Sequence, residues 1–98
     1  MYIALQYTYH VDIIFVPIII GEKIHKIQNL FDKWMFDKNN NHGNWIIKNG
    51  KKVAISFDTD TFIYYINEFH LMHSVEKVYI VDRDLNNVSD KGMTTLFF

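Results

Sequence analysis

Asn49-Gly50 places the tightest local constraint on this chain. The pair lies between Trp45-Ile46-Ile47-Lys48 and Lys51-Lys52-Val53-Ala54-Ile55-Ser56-Phe57. A type I′ turn needs positive φ at both central residues, and Asn-Gly supplies that with little strain, so the pattern predicts a two-residue β-hairpin. Such a loop sets Lys48 opposite Lys51, Ile46 opposite Val53 and Trp45 opposite Ala54. One face then carries Ile46, Val53, Ile55 and Phe57 toward a core, and the other carries Trp45, Ile47, Lys52, Ala54 and Ser56. Asp58 and Thr59 follow, with side-chain oxygens for the orphan amides of a first helical turn, and Asp60 adds a favourable charge there. The hairpin is thus predicted to run into a helix from Thr59 to about His73.

The flanking segments supply the remaining elements. From Tyr2 to Val11 the residues alternate, with Ile3, Leu5, Tyr7, Tyr9 and Val11 on one side, which predicts a strand covered on one face. Ile13-Ile14-Phe15-Val16 is the same strand bent, or a second short one, and Pro17 ends it or marks an edge. Glu22 to Asp37 reads as a helix whose stripe is Ile24, Ile27, Phe31, Trp34 and Met35. Asn39 to Gly43 is a loop. Val75 to Val81 is the last clear strand, followed by a polar turn from Asp82 to Asn87. Residues 93–98 form an added edge strand or an apolar tail. Helical crossovers join parallel neighbours with a right-handed sense. This order therefore predicts an α+β, ferredoxin-like split βαβ sandwich. Two helices lie on one face of a four- or five-stranded antiparallel-containing sheet, in a single domain over residues 1–98.

Composition removes several function classes. The 98 residues suffice for one core, and 49% hydrophobic with 16% aromatic content argues against disorder. A net charge of −1 leaves no general polyanion-binding footprint. Without cysteine there are no disulfides, thiolate metal sites or cysteine nucleophiles. No basic segment precedes an apolar run, and Gln6, His10 and Asp12 interrupt the early apolar residues. No membrane segment or signal peptide is expected, and a cytoplasmic protein is.

No motif names a chemistry. His70 and His73, at i and i+3, could share a metal, but a third ligand would have to come from His10, His42, Asp58 or a carboxylate near Asp82. Otherwise they end a helix where the macrodipole favours their charged form. Asp58 and Asp60 read as helix cap and first-turn charge, Asp82 and Asp84 as turn formers. Walker loop, phosphate cradle, serine elbow and zincin motif are all missing. Lys48, Lys51 and Lys52 gather at the hairpin tip near Trp45, an RNA platform only if the sheet face is open. Trp45, Ile47, Tyr64, Leu71 and Leu96-Phe97-Phe98 exceed what one covered face can bury, unless Phe97-Phe98 fold back over Trp45. An exposed apolar surplus points to a partner surface.

The sequence therefore predicts a small non-enzymatic protein-binding module without cofactor or metal. It would act as an inhibitor, an immunity or antitoxin-like protein, or a phage-encoded modulator. The partner is another protein or a second copy, met through Trp45, Ile47, Lys48, Lys51, Lys52, Tyr64, Phe97 and Phe98. On this reading Trp45→Ala leaves the fold intact and weakens association. The alternatives are a metal-dependent hydrolase or nuclease using His70 and His73, and an RNA-binding module using the open sheet face.

Overall fold

Strand pairing near the N-terminus decides the architecture. Tyr2–Gln6 (β1) and Val11–Phe15 (β2) pair antiparallel, with Ile3 opposite Ile14 and Leu5 opposite Asp12. The strand expected from Tyr2 to Val11 is thus broken by a turn at Tyr7–His10. The Tyr7 N–H donates to the His10 carbonyl at 2.9 Å, and the Gln6 side-chain amide donates to the Tyr7 carbonyl at 2.7 Å. None of the four turn residues is Gly, Pro, Asn or Asp, so the alternation reads straight through them.

The computed structural model describes residues 1–87 and 92–98. After β2 come Ile18–Gly21 (α1), Ile24–Phe36 (α2), Trp45–Lys48 (β3), Lys51–Ile55 (β4), Thr59–Phe69 (α3), Tyr79–Leu85 (β5) and Thr94–Phe97 (β6). The main sheet has the order β5-β2-β1-β6, with β5 antiparallel to β2 and β6 parallel to β1, while β3 and β4 form a sheet of their own. The chain is a mixed α+β fold. A ferredoxin-like split would draw the β3–β4 hairpin into the main sheet. That expectation is corrected, because β1 and β2 take the central positions and β5 and β6 flank them. No described helix is long and apolar enough to cross a membrane.

Both long helices cover one face of the main sheet. Ile24, Ile27, Phe31 and Met35 of α2 and Phe62, Tyr65 and Ile66 of α3 pack on Ile3, Leu5, Ile14 and Leu96, and Trp34 joins them partly buried. Each large apolar side chain removed from water there contributes about 1.5–3 kcal/mol. Helix α3 opens on Asp58, whose Oδ1 accepts from the Thr61 N–H at 3.0 Å, and it ends at Phe69 rather than near His73. Thr59, the other expected cap, turns its hydroxyl to Asp12 instead. On the outer face, Ala4, Val11 and Ile13 are buried with Leu85 and Met93 packed against them. At the end of α1, a Cβ on Gly21 would lie 2.0 Å from the Met1 sulfur, so only glycine lets Met1 rest there.

Two strands depart from expectation through bulges. β5 stays paired through Leu85, where a polar turn was expected from Asp82, because two register shifts against β2 absorb the extra residues. In the hairpin, Asn49 (φ 53) and Gly50 (φ 75) adopt the conformations the turn requires, and Lys48 faces Lys51. A shift between Ile46 and Ile47 then sets Ile46 opposite Ala54 and Trp45 opposite Ile55, one place from the predicted register. Val53 is the extra residue, and it is exposed with Ile46 and Ile47 instead of facing the core. The radius of gyration, 14.2 Å, exceeds the roughly 13 Å of a compact chain this long, as a hairpin standing off the main sheet would produce.

Candidate functional site

The outer face of the main sheet carries a row of aromatic side chains at one end. Tyr2 lies opposite Phe15 and Phe15 opposite Tyr79, so β1, β2 and β5 bring three rings into line. Ring centroids are 5.6 Å apart for Tyr2 and Phe15, edge to face, and 5.2 Å for Phe15 and Tyr79, stacked. Pairs of this geometry add about 0.5–1.5 kcal/mol beyond their burial, which holds the row rigid. Tyr2 is nevertheless 53% exposed and Tyr79 55%. Helix α1 continues the surface, since four residues cannot bury three consecutive isoleucines. Ile20 goes inside, while Ile18 and Ile19 stay 66% and 65% exposed. Between rings and helix lies a recess of about 510 Å³ lined by Met1, Phe15, Pro17, Ile18, Ile19 and Glu76. The sequence reading did not single out these residues, although Ile18-Ile19-Ile20 after Pro17 is a usable signal.

The residues expected to bind a partner are distributed over three recesses, of which the first two adjoin at Asn41, His42 and Gly43. Trp45, Ile47 and Lys52 line one with Asn41, His42 and Gly43; Tyr64 lines a second; Phe97 and Phe98 line a third beside Phe36 and Phe57. Lys48 and Lys51 are exposed at the hairpin tip. Trp45 is half-buried rather than open to solvent. Its Nε1 donates to the Asn40 carbonyl at 2.7 Å, His42 stacks on it at 5.2 Å, and the Lys52 ammonium sits 5.2 Å over its ring. Lys52 also donates to the Lys38 carbonyl, tying the 38–42 loop to the hairpin. Ile47 is 60% exposed. Phe98 points inward among Tyr7, Phe31, Phe57 and Phe62, so it does not cover Trp45.

A buried polar network lies under the other end of the sheet. Asp12 is 4% exposed and faces the helices from a central strand. Its carboxylate can only accept, so the Thr59 hydroxyl donates to Oδ2 and receives the Tyr7 hydroxyl in turn, at 2.8 Å. Oδ1 accepts from the Asp84 N–H at 2.9 Å, with His10 Nε2 3.7 Å away. That bond steadies Asp84 at φ 58, the left-handed conformation that the β5 bulge imposes. His10, Asp12 and Asp84 are the one group of three metal-capable side chains among the described residues. The bonds around Asp12 already account for it as a structural tie between sheet, bulge and α3.

Burial, then the neighbouring carboxylates Asp12, Asp58 and Asp60, push the Tyr7 phenol up to about 12, against a lowering by Thr59. The folded state therefore holds this proton after the unfolded chain has released it. Stability from Tyr7 is intact below the ordinary tyrosine value of 10.0 and is lost as pH rises toward about 12. Denaturant midpoints measured across that range are expected to fall more steeply for the native chain than for Tyr7→Phe. Parallel curves would mean that Tyr7 ionises as freely folded as unfolded.

His70 and His73 are not joined by a third metal-capable group among the described residues. His73 is exposed, and the His70 Nε2 is buried without a hydrogen-bond partner. Burial, with the charge of Lys23 adding, holds the His70 imidazole below its ordinary value. The helix-end field expected to favour its charged form is outweighed. Among known proteins, the chain matches no family model, no curated protein and no solved structure.

Proposed function

We propose that this chain is a non-enzymatic protein-binding module whose contact surface is the Tyr2–Phe15–Tyr79 end of the outer sheet face, extended by Ile18 and Ile19. The observation that carries the reading is the exposure of Tyr2 and Tyr79 on either side of Phe15, with Ile18 and Ile19 exposed around the recess that Phe15 also lines. Leaving each in water forgoes roughly 1.5–3 kcal/mol, so contact with another apolar surface is the favourable state. Tyrosine is a favoured anchor because its rigid ring loses little entropy and its hydroxyl finds a partner at the rim. An inhibitor, an immunity or antitoxin-like protein and a phage-encoded modulator would all work by such occlusive contact, in the cytoplasm. RNA is the weaker occupant for this face. The charged residue lining its recess is Glu76, whereas Lys48, Lys51 and Lys52 belong to the other sheet.

The test is affinity capture on the immobilised chain from extracts of its native host, with a free tagged copy of the chain among the proteins offered. A retained protein, identified by mass spectrometry and nuclease-resistant, is expected to be lost with the double variant Ile19→Glu, Tyr79→Ala. The same proteins retained by both forms would place the contact surface elsewhere.

A further inference from the structure

The protein that fits this face can be specified further, on the reading just given. We infer that it is a second copy of the same chain, packed outer face to outer face about a two-fold axis. Met1, Tyr2, Ile18, Ile19 and Tyr79 together leave on the order of 600 Å² exposed, about three-quarters of the ~800 Å² that each partner contributes to an interface of standard size.

The surface is also self-complementary, as a two-fold contact requires. Ile18 and Ile19, both mostly exposed, wall the same recess that Phe15 and Pro17 line. A two-fold axis through this recess would set the isoleucines of one copy against those of the other. Charge allows the approach. Glu22-Lys23 follows the isoleucines and Glu76-Lys77 precedes Tyr79, so each flank offers both signs. With a net charge of −1 per chain, two copies do not repel strongly.

Pairing through the sheet face is favoured over addition at the free edge of β5. β5 is bulged by two register shifts against β2 and carries the run Asp82-Arg83-Asp84, with Asp84 in a left-handed conformation. Bulges and charges of this kind block strand addition.

Sedimentation equilibrium of the intact chain tests the inference. A monomer–dimer equilibrium is expected within about 1–100 μM, since interfaces of this size bind in the micromolar range or tighter. Ile19→Glu is expected to weaken it at least tenfold, and Ile47→Glu on the hairpin to leave it unchanged. Because the chain has no cysteine, a single Ile18→Cys gives a second readout that does not depend on Ile19→Glu folding. Mild oxidation should link two copies through Cys at 18, and should not do so in Lys48→Cys.

A native chain that stays monomeric throughout overturns self-pairing. So does a dimer that survives Ile19→Glu and is not trapped by Ile18→Cys. If the chain is monomeric yet a different protein is captured and lost with Ile19→Glu, Tyr79→Ala, the binding reading stands and only the second copy is wrong. If capture is also insensitive to the double variant, both readings fall.

Discussion

Phe31→Ala is expected to lower the free energy of unfolding by about 3–5 kcal/mol. Phe31 is fully buried on α2, and its ring meets Phe62 at 5.0 Å, Phe57 and Tyr65 at 5.4 Å, Trp34 at 6.3 Å and Phe98 at 6.4 Å. Most of these pairs are edge to face, so one ring satisfies the quadrupoles of several neighbours at once. These neighbours belong to α2, to α3 and to the segments that follow β4 and β6. Alanine would leave a cavity bordered by rings too rigid to collapse into it. Urea denaturation reads the loss as a lower midpoint at an unchanged slope. A change within about 0.5 kcal/mol would mean that the helices do not share this core.

Asp12→Ala is expected to cost a similar amount, about 3–5 kcal/mol, by a different route. It strands two donors, the Thr59 hydroxyl in the buried interior and the Asp84 N–H at its part-buried edge. Asp12→Asn should cost about half as much. Its carbonyl can still accept from the Asp84 N–H, while its amide can donate to Thr59 if the Tyr7–Thr59 bond reverses direction. The ordering Ala worse than Asn, both read by denaturant melts, is the outcome that identifies Asp12 as a hydrogen-bonding tie. Equal losses from both variants would show that the negative charge matters and the acceptor pattern does not.

What could be read without coordinates was whatever a few neighbouring residues decide among themselves. Asn49-Gly50 forms its turn because both residues tolerate positive φ wherever the hairpin ends up. Asp58 caps α3 because its carboxylate reaches an amide three residues on. The α2 stripe follows from helical spacing alone, so Ile24, Ile27, Phe31 and Met35 are inside as their positions demand. Of the surface residues named from sequence, Trp45 changed most. The loop that covers it is held by Asn40, His42 and Lys52, contacts that alternation along a strand does not describe.

The sequence by itself determined the hairpin turn, the start of α3 and the inward face of α2, because each rests on contacts within about one turn of chain. Only the tertiary structure decided which strands share a sheet. The β1–β2 turn uses no turn-specific residue, so it forms because pairing Ile3 with Ile14 buries both, not because the turn itself asks for it. It also decided that Asp12 meets Thr59 across 47 positions of chain, and that β6 returns to lie parallel to β1. The aromatic row on the outer face belongs to the same class. Tyr2, Phe15 and Tyr79 are far apart in sequence and become one surface only when β1, β2 and β5 align. Period-two alternation fixes that the two faces of a strand differ, but the helices choose which face is covered, and that choice left these rings in solvent.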